Sequence, residues 1–491
     1  MSRAHKPQRD PRQVVVNQIT SLRQYSRRFW KSASRFATWV PVSLIIGLAA
    51  GSAGAIFAIA VRQLTRLRLT HGWLIALLPL LGLLIVFTYR KSGFTNPRGT
   101  NLVIDAIRSP QPIPLAMAPL IFISTCLTHL GGGSAGREGA ALQLGGSLGY
   151  QVGQRFHMDE RDLHLATMCG MAACFAALFG TPLTSVIFVM EIITVGIMYY
   201  SALVPCTIAA LTGAALAGRL GLKPTAYTVL SVPAAGLLPI FIVMLLAALC
   251  AAVSILFVYV MHHAEHYLQT WFPNPYLRVV MGAAAVLLLV WPFGRDYLGV
   301  GEAGIEAAFA GQVKPAAFIL KLLFTAITLG SGFRGGEIVP TFFVGSTFGC
   351  WMGGLLGLDP SFGAAIGFLG CFCGVTNCPI TTILLSIEVF GGQGIVYYFI
   401  TAGLSYALSG YGGIYKMQQI LYAKDKLLFK GPRGKTRATV TARDPARAPA
   451  KPAASPPVVT AEGATAVRSA DTAVVQTPET AADPAETTAA D

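Results

Sequence analysis

Apolar runs recur about thirteen times between residues 41 and 410, and few have the length of a simple membrane span. A spanning helix needs about 20 apolar residues. The runs 41–62 and 234–262 satisfy that; 115–130, 361–374 and 379–390 fall short, and Gly or Pro interrupts many others. Broken helices at membrane depth survive only where protein or a water-lined cavity satisfies the freed backbone groups. Charged residues are 12% of the chain and apolar ones 54%, against roughly 25% charged in soluble domains. A soluble protein of this length would divide into domains rather than bury so much apolar surface. Collagen-like, disordered and disulfide-scaffold classes also fail for the bulk of the chain. The expected fold class is an all-α polytopic membrane protein.

The net charge of +15 gathers at the two ends. Residues 1–36 carry nine Lys/Arg against Asp10 alone, and Lys424, Lys426, Lys430, Arg433, Lys435 and Arg437 follow the last apolar run. Basic flanks stay cytoplasmic, so both termini are expected inside and the number of full spans even. These flanks suit anionic membrane lipid rather than nucleic acid. Beyond Arg443 the chain is rich in Ala, Pro and Thr with no sustained period, which predicts disorder. The expected organisation is a basic segment 1–36, a membrane domain 37–423, and a tail 424–491 without a regulatory domain. All nine Cys lie in or beside apolar runs, where small buried thiols pack helices. No metal or cofactor is expected.

Two blocks of the sequence repeat. Pro182 and Pro379 are each followed nine residues later by a glutamate, Glu191 and Glu388. Gly-rich loops deliver Glu138 and Glu337, each eight residues before a glycine, Gly146 and Gly345. The offsets, 199 residues for the loop glutamates and 197 for the prolines, agree closely enough to mark a duplication. The halves are expected at about 40–220 and 234–423. In transporters such halves are often inverted, with the site at their interface.

The loop Gly131-Gly-Gly-Ser-Ala-Gly-Arg-Glu-Gly-Ala140 enters an apolar helix. Free backbone N–H groups at a positive dipole end suit an anion. Glu138 therefore reads as a tethered anion that competes with a diffusing one, and its carboxylate can also take up a proton. The bland reading is a helix N-terminal charge, but an ionisable group in so apolar a chain is functional by default. In the matching loop, Gly330 to Pro340, the N–H groups of Ile338 and Val339 are expected to face the anion, with Pro340 in the first turn. That loop also holds a literal G-x-G-x-x-G, but no strand precedes it. His262-His-Ala-Glu-His266 matches a zinc-protease pattern at the end of an apolar run, where polar capping of a span explains it more simply.

These residues resemble the CLC family of anion channels and transporters over roughly residues 40–423. The resemblance rests on Gly136-Arg137-Glu138-Gly139, on Gly336-Glu337-Ile338-Val339-Pro340, and on the two Pro-to-Glu repeats. It implies a homodimer with antiparallel halves, one anion pathway per subunit and Glu138 as gating glutamate. Gly136, Arg137, Gly139, Gly336, Glu337 and Pro340 would form the pathway loops. Tyr415 matches the tyrosine whose hydroxyl reaches the central anion. Two departures stand out. Gly99-Thr-Asn-Leu-Val103 replaces the family's G-S-G-I-P element, and Ile192 follows Phe188-Val-Met-Glu191 where chloride/proton exchangers often carry a second glutamate.

Those features are similar to the fluoride-exporting branch. Fluoride is small and strongly hydrated, so replacing its water takes close donors. Thr100 and Asn101 offer a hydroxyl and an amide; their plainer role is a helix cap or turn. The expected function is halide transport in the cell membrane, fluoride exchanged for protons, with Thr100, Asn101, Ile338, Val339 and Tyr415 lining the path. A chloride channel or chloride/proton exchanger is the alternative. A passive anion channel and a membrane-embedded enzyme are more remote ones.

Overall fold

The structure, a computed structural model, describes residues 11–94, 99–109, 111–421 and Lys424. Sixteen α-helices are present among them. The first half holds α1 (Pro11–Thr70), α2 (Leu78–Lys91), α3 (Asn101–Arg108), α4 (Met117–Leu130), α5 (Glu138–Arg155), α6 (Glu160–Phe179), α7 (Pro182–Ile192) and α8 (Leu203–Arg219). The second half repeats the order: α9 (Leu237–Trp271), α10 (Pro275–Phe293), α11 (Glu302–Phe309), α12 (Ala317–Gly330), α13 (Ile338–Leu355), α14 (Pro360–Thr376), α15 (Pro379–Phe390) and α16 (Ile395–Leu408). A two-residue parallel pair, β1 (Thr194–Val195) with β2 (Gln419–Ile420), ties the segment after α16 to the end of α7.

Local chemistry sets the breaks. Asp159 caps α6 by accepting from the Asp162 N–H, and Gly180 ends that helix in the left-handed region. Asp359 and Asn377 do the same at the two ends of α14. Pro182 and Pro379 then occupy the first positions of α7 and α15, where a missing N–H costs nothing. Paired glycines draw neighbouring helices together. A methyl on Gly145 would collide with the Gly170 carbonyl, and one on Gly345 with the Gly367 carbonyl. The Gly-x-x-x-Gly spacings of α5 and α13 are thus used within the chain, packing α5 on α6 and α13 on α14.

The outside is apolar, and the largely apolar interior also holds charged and polar side chains. Phe241, Leu245, Leu288 and Trp291 are exposed, the last at 88%, whereas Arg137, Glu138, Lys321 and many Ser and Thr are buried. Water as the surrounding solvent would invert that arrangement. Among the described residues, seven helical stretches are long and apolar enough to cross a membrane, and six more apolar helices of 10–17 residues are too short to cross alone. An even count of full spans is therefore not recovered from helix length, because short helices share the crossing.

Three expectations need correction. The basic segment is not separate from the first span: residues 11–36 belong to α1, which continues through Pro41 to Thr70. Residues 1–10 lie outside the described residues. Lys424, the first residue of the expected tail, is packed into the fold. Lys424 is buried, its Nζ donating to Asn377 Oδ1 at 2.6 Å and Ser409 Oγ at 3.3 Å, over the Tyr406 ring. Residues 425–491, predicted disordered, lie outside the described residues.

The third correction is the register of the repeat. Gly136 and Gly336 form an isolated antiparallel bridge, each N–H donating to the other's carbonyl at 2.7 Å. Glu138 and Ile338 are the first residues of α5 and α13. The structural mate of Glu138 is therefore Ile338, and Glu337 is the mate of Arg137. Matching glutamate to glutamate shifted the alignment by one residue.

Candidate anion pathway

The two Gly-rich loops meet head-on. A Cβ on Gly136 would run into the Glu138 carboxylate, and one on Gly336 would lie 2.7 Å from the Gly139 N and 2.8 Å from Glu138 Oε2. Only hydrogen at both positions lets the starts of α5 and α13 approach this closely. Gly336→Ala is expected to force the loops apart and destabilise the fold by about 1–3 kcal/mol, as for other overpacked sites. Thermal melting in detergent checks it; an unshifted midpoint would contradict the packing described.

Into this seat folds the Glu138 side chain, fully buried. Its Oε2 accepts the Val339 N–H at 3.2 Å, while Oε1 has no protein partner among the described residues. A carboxylate so placed sits where the N-terminal ends of two helices converge, one from each half. The Val339 amide was expected to face a diffusing anion. It is engaged by the tethered carboxylate, and Ile338 lies one residue earlier with its side chain buried. Pro340 packs near Gly136 in the first turn of α13. Beside the seat, Arg137 donates from Nη2 to Glu302 Oε1 at 2.8 Å, an ion pair linking the two halves.

Next to Glu138 opens a cavity of about 300 Å³. Thr100, Asn101, Gly139, Gly336, Glu337 and Tyr415 line it, whereas Gly136, Arg137, Glu138, Ile338, Val339 and Pro340 are not among its lining residues. Thr100 and Asn101 are not simply free donors. Thr100 Oγ1 donates to the Gly139 carbonyl at 3.2 Å, and Asn101 Oδ1 accepts the Met417 N–H at 3.1 Å. These bonds fix the start of α3 against α5 and against the segment carrying Tyr415. Thr100 occupies the cap position of α3 without making a cap bond.

The Tyr415 segment is held from α14. Ile414 donates its N–H to the Val375 carbonyl at 3.0 Å, and Gln418 Nε2 to the Thr376 carbonyl at 2.8 Å.

Gln143, Lys416 and His262 were not expected to line the path. Gln143 lies one turn beyond Gly139 and donates to its carbonyl. Lys416 pairs with Glu265 at 2.6 Å, and His262 lines the same space. Two residues of the His262–His266 pattern, His262 and Glu265, thus line this cavity; Glu265 faces a lysine, and the His263 ring stacks on Tyr259.

A second feature had been seen only as a landmark. Glu191, near the end of α7, accepts from the N–H groups of Ile380 and Thr381 and from the Thr381 hydroxyl. Glu388, near the end of α15, accepts from the N–H groups of Leu183 and Thr184. Each half's glutamate caps the other half's helix. A carboxylate near the C-terminal end of its own helix opposes that dipole; such a misplaced acid was the available signal.

A model of the voltage gated chloride channel family matches residues 81–410. The chain belongs to that family. The chloride/fluoride channel protein of Pseudomonas syringae pv. tomato is 34% identical over 396 residues, covering 79% of this chain and 88% of that protein. A solved CLC-type fluoride/proton antiporter superposes with a TM-score of 0.76 at 32% identity, over 78% of this chain and 98% of the other. A slow cyanobacterial chloride/proton antiporter shares the fold, with a TM-score of 0.68 at 19% identity. The CLC fold therefore accounts for the paired half-helices, and membership makes the chain a membrane transport protein rather than an enzyme.

Proposed function

We propose that this CLC protein exchanges fluoride for protons across the cell membrane. The observation that carries the reading is the buried Glu138 carboxylate on the Val339 N–H, at the point where α5 and α13 begin. A diffusing anion and this carboxylate compete for the same donors, so they do not occupy the seat independently. Exchange needs that exclusion, because coupling is a difference in interaction between states. When Glu138 binds a proton, its claim on the amide weakens and a halide takes the place. When the halide leaves, the ionised carboxylate returns.

Thr100, Asn101, Glu337 and Tyr415 would line the route between the seat and the cavity mouth. Arg137 holds the loop through Glu302. A homodimer with both termini cytoplasmic completes the reading; exposed Leu183, Ile380, Ile387 and Phe399 on α7, α15 and α16 offer an apolar contact face. The likeness to a fluoride/proton antiporter supports fluoride as the ion, and so does the Gly99-Thr-Asn-Leu element.

The chloride-exchanging reading has a basis of its own, since the H(+)/Cl(-) exchange transporter of Vibrio cholerae is 24% identical over 399 residues. Liposome efflux of each halide with simultaneous pH recording separates the two. Fluoride is expected to leave fastest and to draw protons the opposite way. Faster chloride efflux at equal gradients would refute fluoride as the substrate.

A further inference from the structure

Three arginines meet where α2 ends and α10 begins. A methyl on Gly82 of α2 would collide with Val279 of α10 and with Phe333 in the loop before α13, so these three segments pack in direct contact. Each brings a guanidinium. Arg90 lies over the Tyr276 ring at 5.2 Å and Arg334 over the Tyr89 ring at 4.9 Å, while Arg278 has both arginines as electrostatic neighbours. The Nε groups of Arg278 and Arg334 are buried without a hydrogen-bond partner among the described residues. Glu265 is the carboxylate that acts on both, and Lys416 already holds it at 2.6 Å. Arg278 also closes the first turn of α10, its N–H donating to the Asn274 carbonyl, and the helix dipole repels a cation there. Three like charges around one committed carboxylate call for an anion from outside the chain.

The neighbouring surface selects the kind of anion. Phe87 lies three residues before Arg90 and Met281 three after Arg278, on the same helix faces, and both are exposed. Trp271, just before α10, is exposed as well. Exposed aromatic residues at the end of a span mark the headgroup level of a bilayer, and basic pockets between spans bind anionic headgroups there.

We propose that Arg90, Arg278 and Arg334 bind the phosphate of an anionic phospholipid whose chains lie along Phe87 and Met281. Arg278 and Arg334 supply the directional donors, and exposed Arg90 closes over the phosphate from the water side. Arg334 and Tyr89 also line the cavity next to Glu138, so the lipid neutralises a cation in the wall of that cavity. The site is independent of which halide is transported.

Native mass spectrometry of the detergent-purified full-length protein, titrated with dioleoylphosphatidylglycerol or dioleoylphosphatidylcholine, tests it. The first equivalent of phosphatidylglycerol per chain is expected to bind at least about tenfold more tightly than phosphatidylcholine, and Arg278→Gln and Arg90→Gln are each expected to weaken it about fivefold. Phosphatidylcholine binding should be the same in all three proteins. Equal affinity of the wild type for the two lipids would overturn the site, and so would wild-type affinity for phosphatidylglycerol in Arg278→Gln. If Arg278→Gln does not elute as the wild type does, Arg90→Gln decides by the same measure, since Arg90 is exposed and its loss leaves the packing intact. Excess inorganic phosphate is expected to leave the lipid bound. Displacement by it would assign the arginines to a soluble anion and overturn the lipid.

Discussion

Glu138→Gln is expected to go on passing fluoride while it stops moving protons. Glutamine has nearly the shape of glutamate, so it fits the seat between Gly136 and Gly336, and its amide oxygen can accept the Val339 N–H. It cannot take up and release a proton at physiological pH, and it carries no charge to compete with fluoride. In liposomes, a fluoride gradient should drive at least roughly tenfold less proton movement than in the wild type, because coupling requires two states that bind the ions differently. Glu138→Ala should lose proton movement equally and pass fluoride faster than Glu138→Gln, since it leaves no side chain in the seat. Proton flux that still tracks fluoride in either variant would refute the exchange of carboxylate for halide. Because the reacting group is changed without disturbing Thr100, Asn101 or Tyr415, the halide preference of these variants should stay that of the wild type.

Much of the helix order was legible because Pro, Gly and capping Asp or Asn residues punctuate the apolar runs at near-constant offset in both halves. Glu138 stood out for a related reason: an acid in a Gly-rich loop within an apolar chain has few innocuous explanations. The errors have physical causes. Residue identity paired Glu138 with Glu337, yet the backbone pairs Gly136 with Gly336, and only backbone geometry sets register. Thr100 and Asn101 line the cavity, but the carbonyl and amide that their side chains engage belong to segments 39 and 316 residues distant. Lys424 looked like part of a basic tail because its partners, Asn377 and Ser409, lie in earlier turns of the fold. Lys321 was the one charged residue in its apolar run and so carried a signal that went unread.

Breaking the reciprocal caps should destabilise the protein more than removing any single core contact. Glu191 accepts three hydrogen bonds from the start of α15, and Glu388 accepts two from the start of α7. Hydrogen bonds to a charged group contribute roughly 1.5–3 kcal/mol each, and losing the acceptor leaves buried helix-end N–H groups unsatisfied. Glu191→Ala is therefore expected to cost about 3–5 kcal/mol, the range found when one partner of a buried charged interaction is removed. Glu388→Ala should cost less, having fewer donors and greater exposure.

The two losses should not add. While one cap survives it keeps α7 and α15 in register, so the double variant should fall further than the sum of the singles, a coupling that a double-mutant cycle reads directly. Function should separate the two caps as well. The start of α15 follows Thr376 and Asn377, which bond Gln418 and the backbone at Gly412 on either side of Tyr415. Among the described residues, no such link runs from the start of α7. At a temperature where both variants remain folded, Glu191→Ala should slow fluoride flux while Glu388→Ala leaves it near the wild-type rate. Equal slowing in both would mean that the caps act on stability alone and that Tyr415 is positioned independently of them.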